Sequence, residues 1–216
     1  MRLTIRQPPP RPWNIRRLCT HSFVNTLPPG VVLPPDVDPS NGLCADGFVR
    51  VGPAPGKGLG AFAAQWMGPC RTVGRYVGEV YRGTSELHKR YGVLGDIPEE
   101  HAEWQYAWSV ARRASGVGVS GAYVVRVGAC PQTAMQLYID AEDPATASWT
   151  RFLNHAGKRP NLSMRKVVQP DGTPDVRFIV VRQVHPGDEL LFDYGDAYWE
   201  AGDPIDEESW DDPRLY

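Results

Sequence analysis

Residues 189–195 read Glu189-Leu190-Leu191-Phe192-Asp193-Tyr194-Gly195. The turn residues Pro186-Gly187-Asp188 deliver the chain into this apolar run, which predicts a short strand ending in Phe-Asp-Tyr. Working outward, Leu162–Val168 and Val176–Val181 flank Gln169-Pro170-Asp171-Gly172-Thr173-Pro174-Asp175, a composition that predicts a hairpin. Further strands are predicted at Phe48–Val51, Tyr106–Ala111, Ala122–Val127 and Gln136–Ile139. Thr72–Tyr81 is β-rich and broken by glycines, as in one sharply bent strand. Short helices are predicted over Thr84–Tyr91 and as one turn opened by Asp143-Pro144 ahead of Arg151.

About nine short strands, two small helices and no repeat make a mainly β, α+β chain. Strands do not alternate with long helices, so a doubly wound nucleotide fold is disfavoured. Composition agrees. Glycine and proline supply 22 and 21 of the 216 residues, too many for a helical bundle. The hydrophobic fraction of 42% suffices for a core. No apolar run reaches transmembrane length, and no membrane partner is expected.

The net charge of −2 conceals an asymmetry. Residues 1–35 carry Arg2, Arg6, Arg11, Arg16 and Arg17 with eight prolines and no acid. Residues 1–46 are therefore expected to form a flexible Pro/Arg-rich arm, with an organellar address as the alternative. Folded sequence is expected over 47–199, followed by an acidic tail over 200–216. Residues 36–216 hold all 25 acidic side chains against 18 basic ones. That excess disfavours direct nucleic-acid binding and suits a basic peptide partner. The tail can equally be a solubilising segment. Cys19, Cys44, Cys70 and Cys130 are scattered, without zinc spacing, and are read as free thiols in a reducing compartment.

Three segments carry the chemistry. Gly58-Leu59-Gly60, after Lys57, lacks side chains that would hold a ligand off the backbone. It does not have the spacing of a phosphate loop. Arg151-Phe152-Leu153-Asn154-His155 continues to Pro160-Asn161, and the third segment is 189–195. A metal hydrolase built on His155, His185 and Asp193 is disfavoured, because these residues lack ligand spacing; no metal is expected.

Together, Lys57–Gly60, Tyr76-Val77-Gly78-Glu79, Arg151–His155 and Glu189–Gly195 resemble the SET domain family of protein lysine methyltransferases, over roughly residues 47–200. The resemblance implies a β-clip fold with a C-terminal pseudoknot. It implies S-adenosyl-L-methionine as cofactor, held by Lys57, Gly58, Leu59, Gly60, Arg151, Phe152, Asn154, His155 and Tyr194. It further implies Tyr194 and Tyr106 as catalytic tyrosines, and Phe192 and Trp199 in the substrate channel. The implied reaction is methyl transfer to a lysine ε-amine of a basic protein or peptide, a histone tail among the candidates. A catalytically silent module that binds basic peptides is the alternative. Nuclear or cytoplasmic placement follows by the same resemblance.

A lysine amine attacks a methyl group only when neutral, and its ordinary pKa is ~10.4. A narrow aromatic channel disfavours the ammonium and lowers that value. The resemblance implies that Phe192, two residues before Tyr194, is a pocket wall leaving room for more than one methyl group; the alternative is a core aromatic. The sequence departs from the family pattern at Ala156, where a hydroxyl is common, and at Arg159, where cysteine is common. Cysteine-bearing flanking modules are not expected. Tyr198-Trp199 and Trp210 are the candidates to close the channel.

Overall fold

The hairpin expected between residues 162 and 181 forms. Strand β8, Leu162–Val168, pairs antiparallel with β9, Pro174–Val180. The turn is closed by Gln169 N–H donating to Thr173 O at 2.9 Å and by the Asp171 carboxylate accepting Thr173 N–H at 2.9 Å. On β9 the period of two is strict. Val176, Phe178 and Val180 are buried, whereas Asp175, Arg177 and Ile179 turn to the other face. The computed structural model describes residues 27–83, Leu87, Arg90 and 123–195.

The remaining described strands are β1 Val49–Ala54, β2 Gly58–Ala63, β3 Thr72–Arg75, β4 Glu79–Arg82, β5 Val124–Ala129, β6 Gln136–Asp140, β7 Asn154–His155 and β10 Leu191–Phe192. They form three sheets: β1-β2, β4-β6-β5 and the five-stranded β3-β9-β8-β10-β7. A 3₁₀ turn, Trp149–Phe152, leads into β7. Short strands, many turns and three small sheets make this a mainly β fold, as the sequence leads one to expect.

Thr72–Tyr81 is not one bent strand. It divides at Tyr76–Gly78 into β3 and β4, which belong to different sheets. Gly78 shows why the chain can switch there. A Cβ at that position would lie 2.2 Å from the Asp140 carbonyl oxygen, so only glycine admits this approach of two backbones. Of the predicted helix 84–91, Leu87 and Arg90 are helical, with Leu87 wholly buried; the other positions lie outside the described residues. The strand predicted over Tyr106–Ala111 also lies outside them.

The flexible arm expected up to residue 46 is corrected over its last twenty residues. Val37 and Cys44 bridge each other and are buried in the core, and Leu43 bridges Arg50. Leu27 and Leu33 pack against the same core. The Asp36 carboxylate accepts the Trp149 N–H at 3.0 and 3.2 Å, fastening this segment to the 3₁₀ turn. The prolines do not prevent packing, because an extended chain can lay its apolar side chains on a core without offering a full ladder of N–H groups.

The C-terminal strand fixes the site. β10 runs parallel to both neighbours, with Leu191 opposite Asn154 and Phe192 opposite both His155 and Leu162. Inserted between β7 and β8, it is crossed by the 156–161 connection, the crossing implied as a pseudoknot.

Candidate active site

Asn161 anchors that connection. Its side-chain carbonyl accepts Leu191 N–H at 2.8 Å and its amide donates to Glu189 O at 2.7 Å. Its own N–H donates to Leu191 O at 3.1 Å. An asparagine does this because its planar amide imitates a peptide group and can extend a ladder beyond the strand itself. β10 is thereby held in register with β7.

The consequence is that residues 189–194 lie along 153–155. Tyr194 O–H donates to the Leu153 carbonyl at 2.7 Å. Tyr194 N–H donates to His155 Nδ1 at 3.1 Å. An Nδ1 that accepts a hydrogen bond carries no proton, so this imidazole is the neutral Nε2–H tautomer. The two rings meet edge to face at 5.3 Å between centroids. Ala156 N–H donates to Phe192 O at 3.1 Å, which turns the His155 main-chain amide and carbonyl toward the outer side of edge strand β7.

Behind Tyr194 stands an aromatic wall. Phe192 lies 4.7 Å from the Tyr194 ring and 4.9 Å from Phe178, and Phe178 meets Tyr76 edge to face at 6.2 Å. The Tyr76 hydroxyl donates to Tyr123 O at 2.6 Å. Burial first, then the nearby Asp140 charge, hold the Tyr76 phenol well above its ordinary pKa, so it stays neutral. Phe192 is thus a core aromatic that packs beneath Tyr194.

The Gly58-Leu59-Gly60 segment reaches the same place through β2. Asn154 Nδ2 donates to Leu59 O at 3.1 Å and to Glu189 Oε1 at 2.8 Å. Glu189 Oε2 lies 3.3 Å from Lys57 Nζ, in a pair whose side chains are only 10% and 12% exposed. A Cβ on Gly60 would lie 2.9 Å from Glu189 Oε1 and 3.1 Å from Asn154 Nδ2. Glycine is what allows the carboxylate and the amide to meet over β2.

Of the expected site residues, the structure brings together Lys57, Leu59, Gly60, Asn154, His155, Phe192 and Tyr194. Gly58 opens β2 next to them at φ +81°, with open space where a Cβ would stand. Arg151 is engaged within the protein. Its guanidinium donates to Ala141 O and Glu142 O, both at 2.9 Å, and lies 4.1 Å over the Tyr123 ring. Phe152 is buried in the core. Tyr106 and Trp199 lie outside the described residues, as do Tyr198 and Trp210. Glu189, Tyr76 and the Leu153 carbonyl were not singled out from sequence. Glu189 stands in a quoted motif and was legible as a charge beside an apolar strand. A carbonyl oxygen carries no residue signature.

The family model described as SET domain matches residues 58–195. The chain belongs to the SET domain family. The matched span runs from β2 to the residue after Tyr194, the two segments that converge on Asn154. The SET chain is also similar to histone-lysine N-methyltransferase set-1 of Caenorhabditis elegans, 45% identical over 51 residues, which are 24% of this chain and 21% of that relative. Among solved structures it is similar to CpSET8 from Cryptosporidium, with a TM-score of 0.49 and 24% identity, covering 73% of this chain and 59% of that one. The chain thus spans about a fifth of the curated relative's length and somewhat over half of the solved one's.

Proposed function

We propose that this SET domain transfers a methyl group from S-adenosylmethionine to the ε-amine of a lysine in a basic protein, histone tails included. One observation carries the reading: the Tyr194 hydroxyl and the Leu153 carbonyl lie 2.7 Å apart, against an aromatic wall, beside Asn154.

The donor set fits the amino-acid end of that cofactor. Both amide hydrogens of Asn154 are consumed, by Leu59 O and Glu189 Oε1. Its Oδ1 is therefore presented as an acceptor, which suits an ammonium. Glu189 adds negative charge at the same spot and Lys57 adds a cation suited to a carboxylate. The main-chain edge of His155 offers the paired donor and acceptor that an adenine edge requires. When bound, S-adenosylmethionine supplies an electrophilic methyl group on a positively charged sulfur.

The chain's own residues do the rest. Phe192, Phe178 and Tyr76 exclude water and so disfavour the charged form of an incoming lysine. The Leu153 carbonyl and the Tyr194 oxygen offer lone pairs that orient an amine. Neither acts as a strong base, and positioning supplies much of the rate. Phe192 has no hydroxyl to crowd the amine, which supports di- or trimethylation. A peptide array incubated with radiolabelled cofactor, followed by mass spectrometry of the labelled peptides, tests this reading. Label on lysine-containing basic peptides is expected. Saturable cofactor binding without transfer to any peptide would favour the silent peptide-binding module.

A further inference from the structure

The register of the five-stranded sheet produces an arrangement that the overall charge does not foretell. On its face opposite the aromatic wall, Arg75 of β3 is directly opposite Arg177 of β9, which is directly opposite Arg165 of β8. Adjacent strands lie about 4.8 Å apart, so three guanidinium stems stand in one line across the sheet. Like charges directly opposite each other destabilise a sheet. Among the described residues, Asp175 is the carboxylate that relieves them. It accepts from Arg177 Nε at 2.7 Å and lies 3.5 Å from Arg75 Nε. Arg165 is exposed and forms no ion pair among the described residues.

Around this line the face is suited to a polyanion. The next row across the same strands is Thr72, Ile179 and Ser163, which places exposed hydroxyls at both ends. These rows hold three arginines against one adjoining carboxylate, Asp175, within a chain that is acidic as a whole. All three positions in the line are arginine, whose planar fork matches phosphate oxygens in pairs, whereas lysine offers a point charge. Among the described residues, none of the strand positions in these rows is an aromatic that could wedge into a lipid surface or stack a base.

We propose that the outer face of β3-β9-β8 binds the phosphodiester backbone of duplex nucleic acid, without reading its sequence, while the opposite face serves the Tyr194 site. The chain's excess of acid argues against phosphate binding by the molecule as a whole. That sum averages over faces, and here the sheet gathers on one face arginines that are remote in sequence. This inference is independent of the methyl-transfer reading.

The test is fluorescence anisotropy of a labelled DNA duplex of about 20 base pairs with the full chain and with the Arg75→Gln/Arg165→Gln double variant, which retains the Arg177–Asp175 pair. The arginines of residues 1–35 are common to both proteins, so any difference belongs to the face. Affinity at about 50 mM salt should fall roughly tenfold or more, and the slope of log K against log salt should flatten by about two. Arg165→Glu alone should weaken binding as well, with an unchanged melting temperature certifying that it folds. Equal affinity and slope in parent and variants would overturn the proposal. So would the absence of saturable binding by the parent, competition by polyglutamate as strong as by DNA, or an arginine-dependent preference for anionic vesicles over the duplex.

Discussion

The Tyr194 hydroxyl donates to the Leu153 carbonyl at 2.7 Å across 41 residues of sequence. The contact exists because β10 enters between β7 and β8 and sets Phe192 opposite His155. Tyr194 is then two residues beyond the pairing and faces back over the end of the 3₁₀ turn. The same hydroxyl is therefore a structural tie and the group proposed to orient the substrate amine.

Tyr194→Phe should separate these roles. Losing a single hydrogen bond of this kind costs about 1 kcal/mol of stability. Methyl transfer should fall on the order of a hundredfold or more, the scale of losing one oriented polar group. Radiolabelled cofactor should still bind saturably, because the ring of residue 194 is retained. Single-turnover transfer assays with equilibrium dialysis measure both; parent-like transfer would remove Tyr194 from the reaction.

Gly60→Ala tests the approach of Glu189 and Asn154 over β2. The added methyl would meet Ala54 Cβ and Glu189 Oε1, both at 2.9 Å. Overpacking of this kind costs about 1–3 kcal/mol. Thermal unfolding should register the loss, and cofactor affinity should fall further than stability alone accounts for. Gly187, where an added methyl would meet no atom within 4 Å, is the comparison for added bulk, although its positive φ of +93° adds strain of its own.

Glu189→Gln and Glu189→Ala should differ. Glutamine retains an oxygen for Asn154 Nδ2 but leaves the Lys57 ammonium, which is only 10% exposed, without its carboxylate. Alanine removes both contacts. Cofactor affinity measured by calorimetry should fall in the order parent, glutamine, alanine. The alanine variant should also lose stability, on the order of 1 kcal/mol, for the acceptor missing beside the half-buried Asn154 amide. Equal affinities in the two variants would show that charge, and not the Asn154 orientation, is what matters.

Asp36 predicts a pH dependence of opposite sign to that of most carboxylates. Burial raises its pKa, partly offset by the Trp149 N–H. Between the ordinary carboxylate range and the raised value, the folded protein holds a proton that the unfolded chain has released. This group's contribution to stability is therefore lost as pH rises through that window. Carbon-detected NMR titration should place the Asp36 carboxyl above an ordinary aspartate, and the corresponding slope in unfolding free energy should vanish in Asp36→Asn. A titration midpoint at or below the ordinary value would contradict this.

Cys44 and Cys70 should differ in reactivity. Burial pushes the Cys44 thiol pKa upward, whereas Cys70 is exposed. In a Cys19→Ser background a water-soluble disulfide reagent should modify Cys70 in the native state and Cys44 only on unfolding. Mass spectrometry of the modified peptides reads the outcome.

The sequence by itself determined what is local or carried by composition. The 162–180 hairpin follows from seven turn-forming residues between two apolar alternations. The SET resemblance was carried by Lys57–Gly60, Tyr76–Glu79, Arg151–His155 and Glu189–Gly195, because close backbone approach and paired amides demand particular residue types. Only the tertiary structure decided how those segments meet. Thr72–Tyr81 reads as one strand, since nothing local shows that Asp140 passes within reach of Gly78. Residues 27–46 read as an arm, since their partners, Arg50 and Trp149 among them, lie elsewhere in the chain. The Leu153 carbonyl and the Arg75–Arg177–Arg165 line share one physical reason for being hidden. Each depends on strand register, which is set by non-local pairing and the burial of one face, and composition sums over faces that only folding separates.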